Sequence, residues 1–134
     1  MTFSVAVERK HRVLRAKATG IIVSQDLVDL DNASIAILSQ DEGTNGAPYR
    51  GLYDFSEVAA VAVPQTKAAA RGSRSAIVRG QRVMVQSQAV SCNVVEAFVQ
   101  SQKLAGDNLL VVVDSVDEAY ALLDLDSPNF EVIG

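Results

Sequence analysis

The sequence predicts an α/β fold: a mostly parallel sheet, helices flanking it, and an antiparallel hairpin strand at the N-terminus. Three observations predict it. Leu109 to Val113 is an unbroken apolar run, which reads as a strand buried on both faces. Asp114-Ser115 ends that run and Val116 to Leu125 reads as a helix, completing a β-α unit. Strand-like and helix-like segments then follow one another as β-β-α-β-α-β-α-β-α, and repeated β-α units imply right-handed crossovers and parallel strands.

The chain has 134 residues, the length of one domain, 1–134. A chain of this size buries roughly two-thirds of its unfolded surface, so a core forms without staples. Hydrophobic residues make up 49% and charged residues 21%, the balance of a soluble globular protein. Aromatics are 5% and Trp is absent, so Ala, Val and Leu fill the core and no stacking platform for bases is expected. Net charge is −4, and aromatics do not interleave with the bases, which argues against a nucleic-acid partner. Cys92 is the single cysteine; an intrachain disulfide is excluded and a cytoplasmic setting is the simplest expectation. The N-terminus lacks the basic-then-apolar order of a secretory signal, and no apolar run approaches the ~20 residues that span a bilayer.

Charge comes in blocks. Residues 1–19 are basic, 20–57 acidic, 58–95 basic with no acid at all, and 96–134 acidic. Folding either brings these blocks together or leaves a positive patch. Mutual neutralisation with solvation is the simpler outcome.

The elements follow in order. Phe3, Val5 and Val7 alternate with Ser4, Ala6 and Glu8, giving a strand over 3–8. A second strand covers 11–19, with Val13, Arg15 and Lys17 on one face and Leu14, Ala16 and Ala18 on the other. Arg9-Lys10-His11 forms the turn between them, and Gly20 breaks the second strand. His11, the only histidine, reads as an exposed turn residue. Ser24 is a helix N-cap, with Asp26 in the first turn. Leu27, Leu30, Ser34, Ile37 and Leu38 recur at helical spacing, and Val28 and Ile35 widen the stripe. Asp26, Asp29 and Asp31 lack the glycine turn and distal Glu of an EF-hand loop, so a solvated acidic face is expected.

Asp41 to Pro48 is a loop rich in breakers. Tyr49 to Phe55 is a strand ending at Asp54-Phe55-Ser56. Val58 to Val63 fits a strand, a helix turn or an extended linker. Pro64 suits the first position of a helix over Gln65 to Arg71, with Gly72 as its stop. Ser75 to Arg79 and Arg82 to Gln86 are β-rich around Gly80, as one kinked strand or a short hairpin. Asn93 followed by Glu96 starts a helix with Val94, Ala97, Phe98, Ser101 and Leu104 on one face, ended by Gly106 in a left-handed turn. Cys92 precedes it, where a helix dipole lowers a thiol pKa, although no base is close in sequence and a small semi-buried residue is the simpler reading. Ser115 with Glu118 makes a capping box for the last helix. Phe130, Val132 and Ile133 fold back as an edge strand or pack on a helix.

Ligands of parallel sheets sit at the carboxyl ends of the strands. Here that rim is predicted to hold Asp54, Ser56, Arg79, Asp114 and Ser115. A second predicted surface is basic: Lys67, Arg71 and Arg74 on the second and third helices, suited to an acidic partner or an anionic ligand.

This succession resembles the SpoIIAA-like branch of the STAS domains, which includes STAS/SEC14-like proteins. The resemblance covers nearly the whole chain. It rests on the leading strand pair closing at Thr19-Gly20, on Gly51-Leu52-Tyr53-Asp54-Phe55-Ser56, on Ser75-Ala76-Ile77-Val78, and on the ending Val113-Asp114-Ser115-Val116-Asp117-Glu118-Ala119-Tyr120-Ala121-Leu122-Leu123. It implies a βα superhelix with strands adjacent in chain order after the hairpin. It also implies a regulatory or small-ligand-binding module rather than an enzyme. The region matching the family's phosphorylatable turn, Ala60-Val61-Ala62-Val63-Pro64-Gln65, has neither Ser nor Gly. The position of the Arg that commonly opens the third helix reads Cys92-Asn93-Val94-Val95.

Three functions follow as expectations. The first is a non-enzymatic binding or regulatory module with a protein partner or a small anionic or apolar ligand. The second, implied by the SEC14-like kinship, is a carrier of a lipid or apolar ligand, which requires an interior cavity. The third is a small hydrolase with Asp54 and Asp114 as a carboxylate pair and Ser56 or Ser115 as nucleophile; it lacks a base near either serine. No metal ligand set and no cofactor are expected, and the Ala/Val run at 58–63 is a candidate self-association patch for a homodimer.

Overall fold

The computed structural model describes residues 2–40, 48–73, 77–87 and 93–133. Its strands are β1 (Phe3–Glu8), β2 (Val13–Val23), β3 (Arg50–Ala62), β4 (Arg82–Val85), β5 (Leu110–Val113) and β6 (Glu131–Ile133). Its helices are α1 (Ser24–Gln40), α2 (Gln65–Gly72), α3 (Asn93–Leu104) and α4 (Val116–Leu122). The strands make one mixed sheet in the order β5-β4-β3-β2-β1-β6. β2 to β5 are parallel, while β1 runs antiparallel to both β2 and β6. The predicted element order therefore holds, and the tail adds an edge strand. Residues 41–47 of the loop predicted over Asp41 to Pro48, and Arg74, Ser75, Ala76 and Cys92, lie outside the described residues, as does the side chain of Val94.

The hairpin register pairs Glu8 with Val13. Arg12 takes a left-handed φ of 53° and so does the work that Gly or Asn does in most such turns. Its guanidinium stands over the Tyr49 ring at 4.7 Å.

Two predicted boundaries move because β2 and β3 run on together. β2 does not stop at Gly20; it passes through it at φ +73° and ends at Val23. β3 does not stop at Phe55 but absorbs most of the ambiguous 58–63 run. The ladder slips twice, between Lys17 and Thr19 and between Gly20 and Ile21. Each slip is a bulge on β3, one extra residue against the partner strand. Periodicity breaks at bulges, which is why the run looked like several things at once.

The two faces of the sheet build two cores. On one face, Phe3, Val5, Val7, Leu14, Ala16 and Ala18 pack under Leu30 and Ile37 of α1. On the other, Val13, Leu52, Val83, Val85 and Val113 pack under Ala119 and Leu123 of α4. α1 buries the predicted Leu30, Ser34 and Ile37 stripe, but Val28 and Ile35 are exposed and do not widen it.

Leu109 to Val113 is not an interior strand. β5 is the sheet edge, and Val111 is 39% exposed beside the buried Val83. Five consecutive apolar residues report hydrophobicity, not position in the strand order. Leu104 is likewise exposed rather than on the buried face of α3.

Helix ends show their chemistry. Ser115 caps α4 by accepting from the Glu118 amide at 3.1 Å, and its hydroxyl meets the Glu118 carboxylate at 3.5 Å. α4 is shorter than predicted. Asp124 adopts φ 55°, with Asp124 N–H donating to Ala121 and Leu125 N–H to Tyr120, a Schellman stop. Gly106, at φ +89°, ends α3 in the same way as predicted. At the start of α1 the Asp26 carboxylate accepts from the Val23 amide at 2.8 Å.

Candidate functional site

α2 and α3 pack far more closely on each other than either packs on the sheet. Gly72 allows this. A Cβ there would run into the Phe98 carbonyl oxygen and come within 2.9 Å of Ser101 Cβ. Gly72 closes α2 as predicted, through close contact with α3 rather than a left-handed φ.

Beneath these helices and α1 lies a cavity of about 180 Å³. Its floor comes from β2 to β5, through residues such as Ile22, Tyr53, Phe55, Met84 and Leu110. Its roof includes Leu27 and Leu30 of α1, Ala68 of α2 and Phe98 of α3. Six polar side chains also line it: Asp31, Ser34, Tyr53, Arg71, Arg82 and Gln102.

These polar groups are largely spoken for. Arg71 donates to both carboxylate oxygens of Asp31, at 2.6 and 2.5 Å. Arg82, 3% exposed, is paired with Asp107, which the Schellman turn after α3 brings to it. Burial pushes the Asp107 carboxyl up, but hydrogen bonds from Arg82 and from the Leu109 amide outweigh that and hold it below its ordinary value. Ser34 donates to the Leu30 carbonyl at 2.8 Å. Burial pushes the Tyr53 hydroxyl up to about 12, even though Arg82 and Arg71 oppose the shift. Two atoms stay unpartnered and shielded from solvent: Arg82 Nε and Gln102 Oε1. Such atoms are uncommon in native interiors.

The predicted residues scatter. Arg71 reaches the cavity, but as half of an ion pair rather than as part of an exposed basic surface. Lys67 is exposed on α2. Asp54 and Ser56 are not at a strand end, since β3 continues past them. Asp54 is buried and accepts from both the amide and the hydroxyl of Ser56, at 3.0 and 2.6 Å. It thereby satisfies backbone that the first bulge takes out of the ladder. Arg79 precedes β4 and so lies at the amino end of that strand, opposite to the predicted rim. Only Asp114 and Ser115 follow the end of a parallel strand. Asp114 accepts from the Gln86 amide group at 2.5 Å, and Ser115 is engaged in its cap.

His11 sits in the hairpin turn. Its amide and Nδ1 contact the buried Glu8 carboxylate at 2.8 and 2.5 Å. Arg50, at the start of β3, donates to the His11 carbonyl and to the Leu123 carbonyl at the end of α4. Ser56 lies six residues farther along the strand, roughly 20 Å at the usual rise. His11 is thus no base for Ser56.

The acids of α1 go separate ways: Asp26 to the Val23 amide, Asp29 to Gln25, Asp31 to Arg71. Among the described residues no three His, Cys, Asp or Glu side chains gather as metal ligands. No helix among them is long and apolar enough to cross a membrane. The charge blocks meet as opposites, in Lys17–Glu57, Arg71–Asp31, Arg82–Asp107 and Arg9–Glu131.

Sequence reasoning missed Asp31, Tyr53, Arg82 and Gln102 as a group. Some signal was present. Leu27, Asp31 and Ser34 share a helical edge, as do Phe98 and Gln102 at i, i+4. Arg82 is a charge heading an otherwise apolar strand. What joins them is tertiary. No family model matches this chain, and no curated protein matches its sequence.

Proposed function

We propose that the chain is a small-ligand-binding module whose site is the cavity beneath α1, α2 and α3. One observation carries this reading. The cavity is walled by apolar side chains but keeps six polar ones, two of them with buried unpartnered atoms. Each such atom costs about 1–3 kcal/mol, a cost that a purely structural core avoids by using apolar residues. Few convergent polar groups in an apolar hollow are the usual composition of a ligand site.

Size narrows the reading. An engineered apolar cavity of ~150 Å³ holds benzene, whereas drug-sized ligands occupy about 300–1,000 Å³. The cavity suits a ring-sized molecule rather than a two-chain lipid. The reading extends to a STAS/SEC14-like regulatory module, in which ligand occupancy is the signal. Its support is the chain-order adjacency of β2, β3, β4 and β5 after an antiparallel hairpin, the order that the SpoIIAA-like resemblance implies.

Native mass spectrometry of the purified protein, combined with xenon binding followed by NMR, tests the site. The expected result is a xenon-dependent shift of cavity residues that Ala68→Leu abolishes by filling the void. A shift untouched by Ala68→Leu, or no shift at all, removes the cavity as the site.

A further inference from the structure

We infer that the cavity selects an uncharged ligand: an apolar ring bearing one group that both accepts and donates a hydrogen bond, such as a primary carboxamide. The inference rests on the cavity being the binding site and names the chemistry of its occupant.

Two arginines lining one cavity ordinarily invite an anion. Here both are already neutralised, Arg71 by Asp31 and Arg82 by Asp107. A carboxylate entering this space gives up its water, meets Asp31 as a like charge, and finds among the described lining residues no unpaired cation to compensate it. An uncharged polar group escapes most of that cost. Tyr53 adds no charge either, because its phenol stays protonated far above neutral pH.

The remaining hydrogen-bonding capacity has two signs. Arg82 Nε is a donor and Gln102 Oε1 an acceptor, and both residues line the cavity. Both atoms are closed off in this arrangement, so a carboxamide answers them as the Arg82 and Gln102 side chains turn toward it, its carbonyl accepting from Nε–H and its N–H donating to Oε1. Neither half of the pair is matched by a carboxylate, which only accepts. Leu30, Phe55, Met84 and Phe98 then surround the ring.

Calorimetric titration of the full chain at pH 7 with benzamide, benzoate and toluene tests this. Benzamide is expected to bind about tenfold or more tightly than benzoate, the effect of one hydrogen bond plus an avoided charge burial. Gln102→Leu should cut the preference for benzamide over toluene severalfold, leaving only the share carried by Arg82, while toluene binding stays in place; Gln102→Met serves if that variant fails to fold. The benzamide–benzoate comparison needs no variant. Benzoate binding as tightly as benzamide, or a benzamide preference undiminished by the change at position 102, overturns the inference and leaves the cavity standing as a site. No binding by any probe, toluene included, overturns both.

Discussion

Arg71 of α2 grips Asp31 of α1 with two guanidinium nitrogens, at 2.6 and 2.5 Å. The pair ties a helix that packs on β1 and β2 to one that barely touches the sheet, and it forms part of the cavity wall.

Removing one member should cost more than removing both. Asp31→Asn leaves Arg71 without its counter-charge in a wall about four-fifths buried. We expect a loss of about 1–3 kcal/mol, below the range for fully buried pairs. Asp31→Leu combined with Arg71→Leu should recover much of it. Urea unfolding of Asp31→Leu, Arg71→Leu and the double, as a double-mutant cycle, gives the coupling; additive losses would show that the pair contributes nothing.

Gly72→Ala should destabilise by about 1–3 kcal/mol, the usual effect of overpacking, because the new methyl meets the Phe98 carbonyl. Gly106→Ala should cost only about 1 kcal/mol, through its left-handed φ alone, since nothing lies within 4 Å of a Cβ there. Denaturation midpoints of the two variants check the order.

Tyr53 predicts an alkaline limb. Its folded pKa, about 12, exceeds the ordinary 10.0. Above pH 10 the unfolded phenol releases its proton while the folded one keeps it, so stability falls as pH rises from 10 toward 12. Below 10 the contribution is fully present. Tyr53→Phe should flatten this limb, and a tyrosinate-absorbance difference titration against the parent should show a phenol ionising near 12.

Asp107 predicts an acid limb of opposite sense. Its folded pKa lies below the ordinary 3.8, so its stabilising share is present above that value and lost as pH falls through the lowered one. Asp107→Asn should weaken the protein at neutral pH and blunt its acid sensitivity below about pH 4. Thermal midpoints between pH 2 and 7 separate this from a uniform loss.

Local chemistry was readable in the sequence. The β1 span, the Ser115 cap, the left-handed Gly106 and the Leu30–Ser34–Ile37 stripe all depend on neighbours within one or two turns. What failed depends on partners far along the chain. Val111 is exposed because no strand follows β5 in the sheet, which no local pattern encodes. β3 runs to Ala62 because β2 runs beside it, and two bulges hide the alternation. The cavity assembles from four strands and three helices, so Arg71 looked like a surface base until Asp31, forty residues away, met it.

On the β3 side β4 pairs with Gly51 to Asp54, so among the described residues β3 has from Phe55 onward a ladder on its β2 side alone. That outer half carries Phe55 and Val61, and its far end leads into Val63; all three face the hollow. One wall of the cavity is therefore cut from a part of the sheet laced on one side only. Deuterium should enter there sooner than at Leu52 to Asp54, and a guest that props this ribbon in place should slow it.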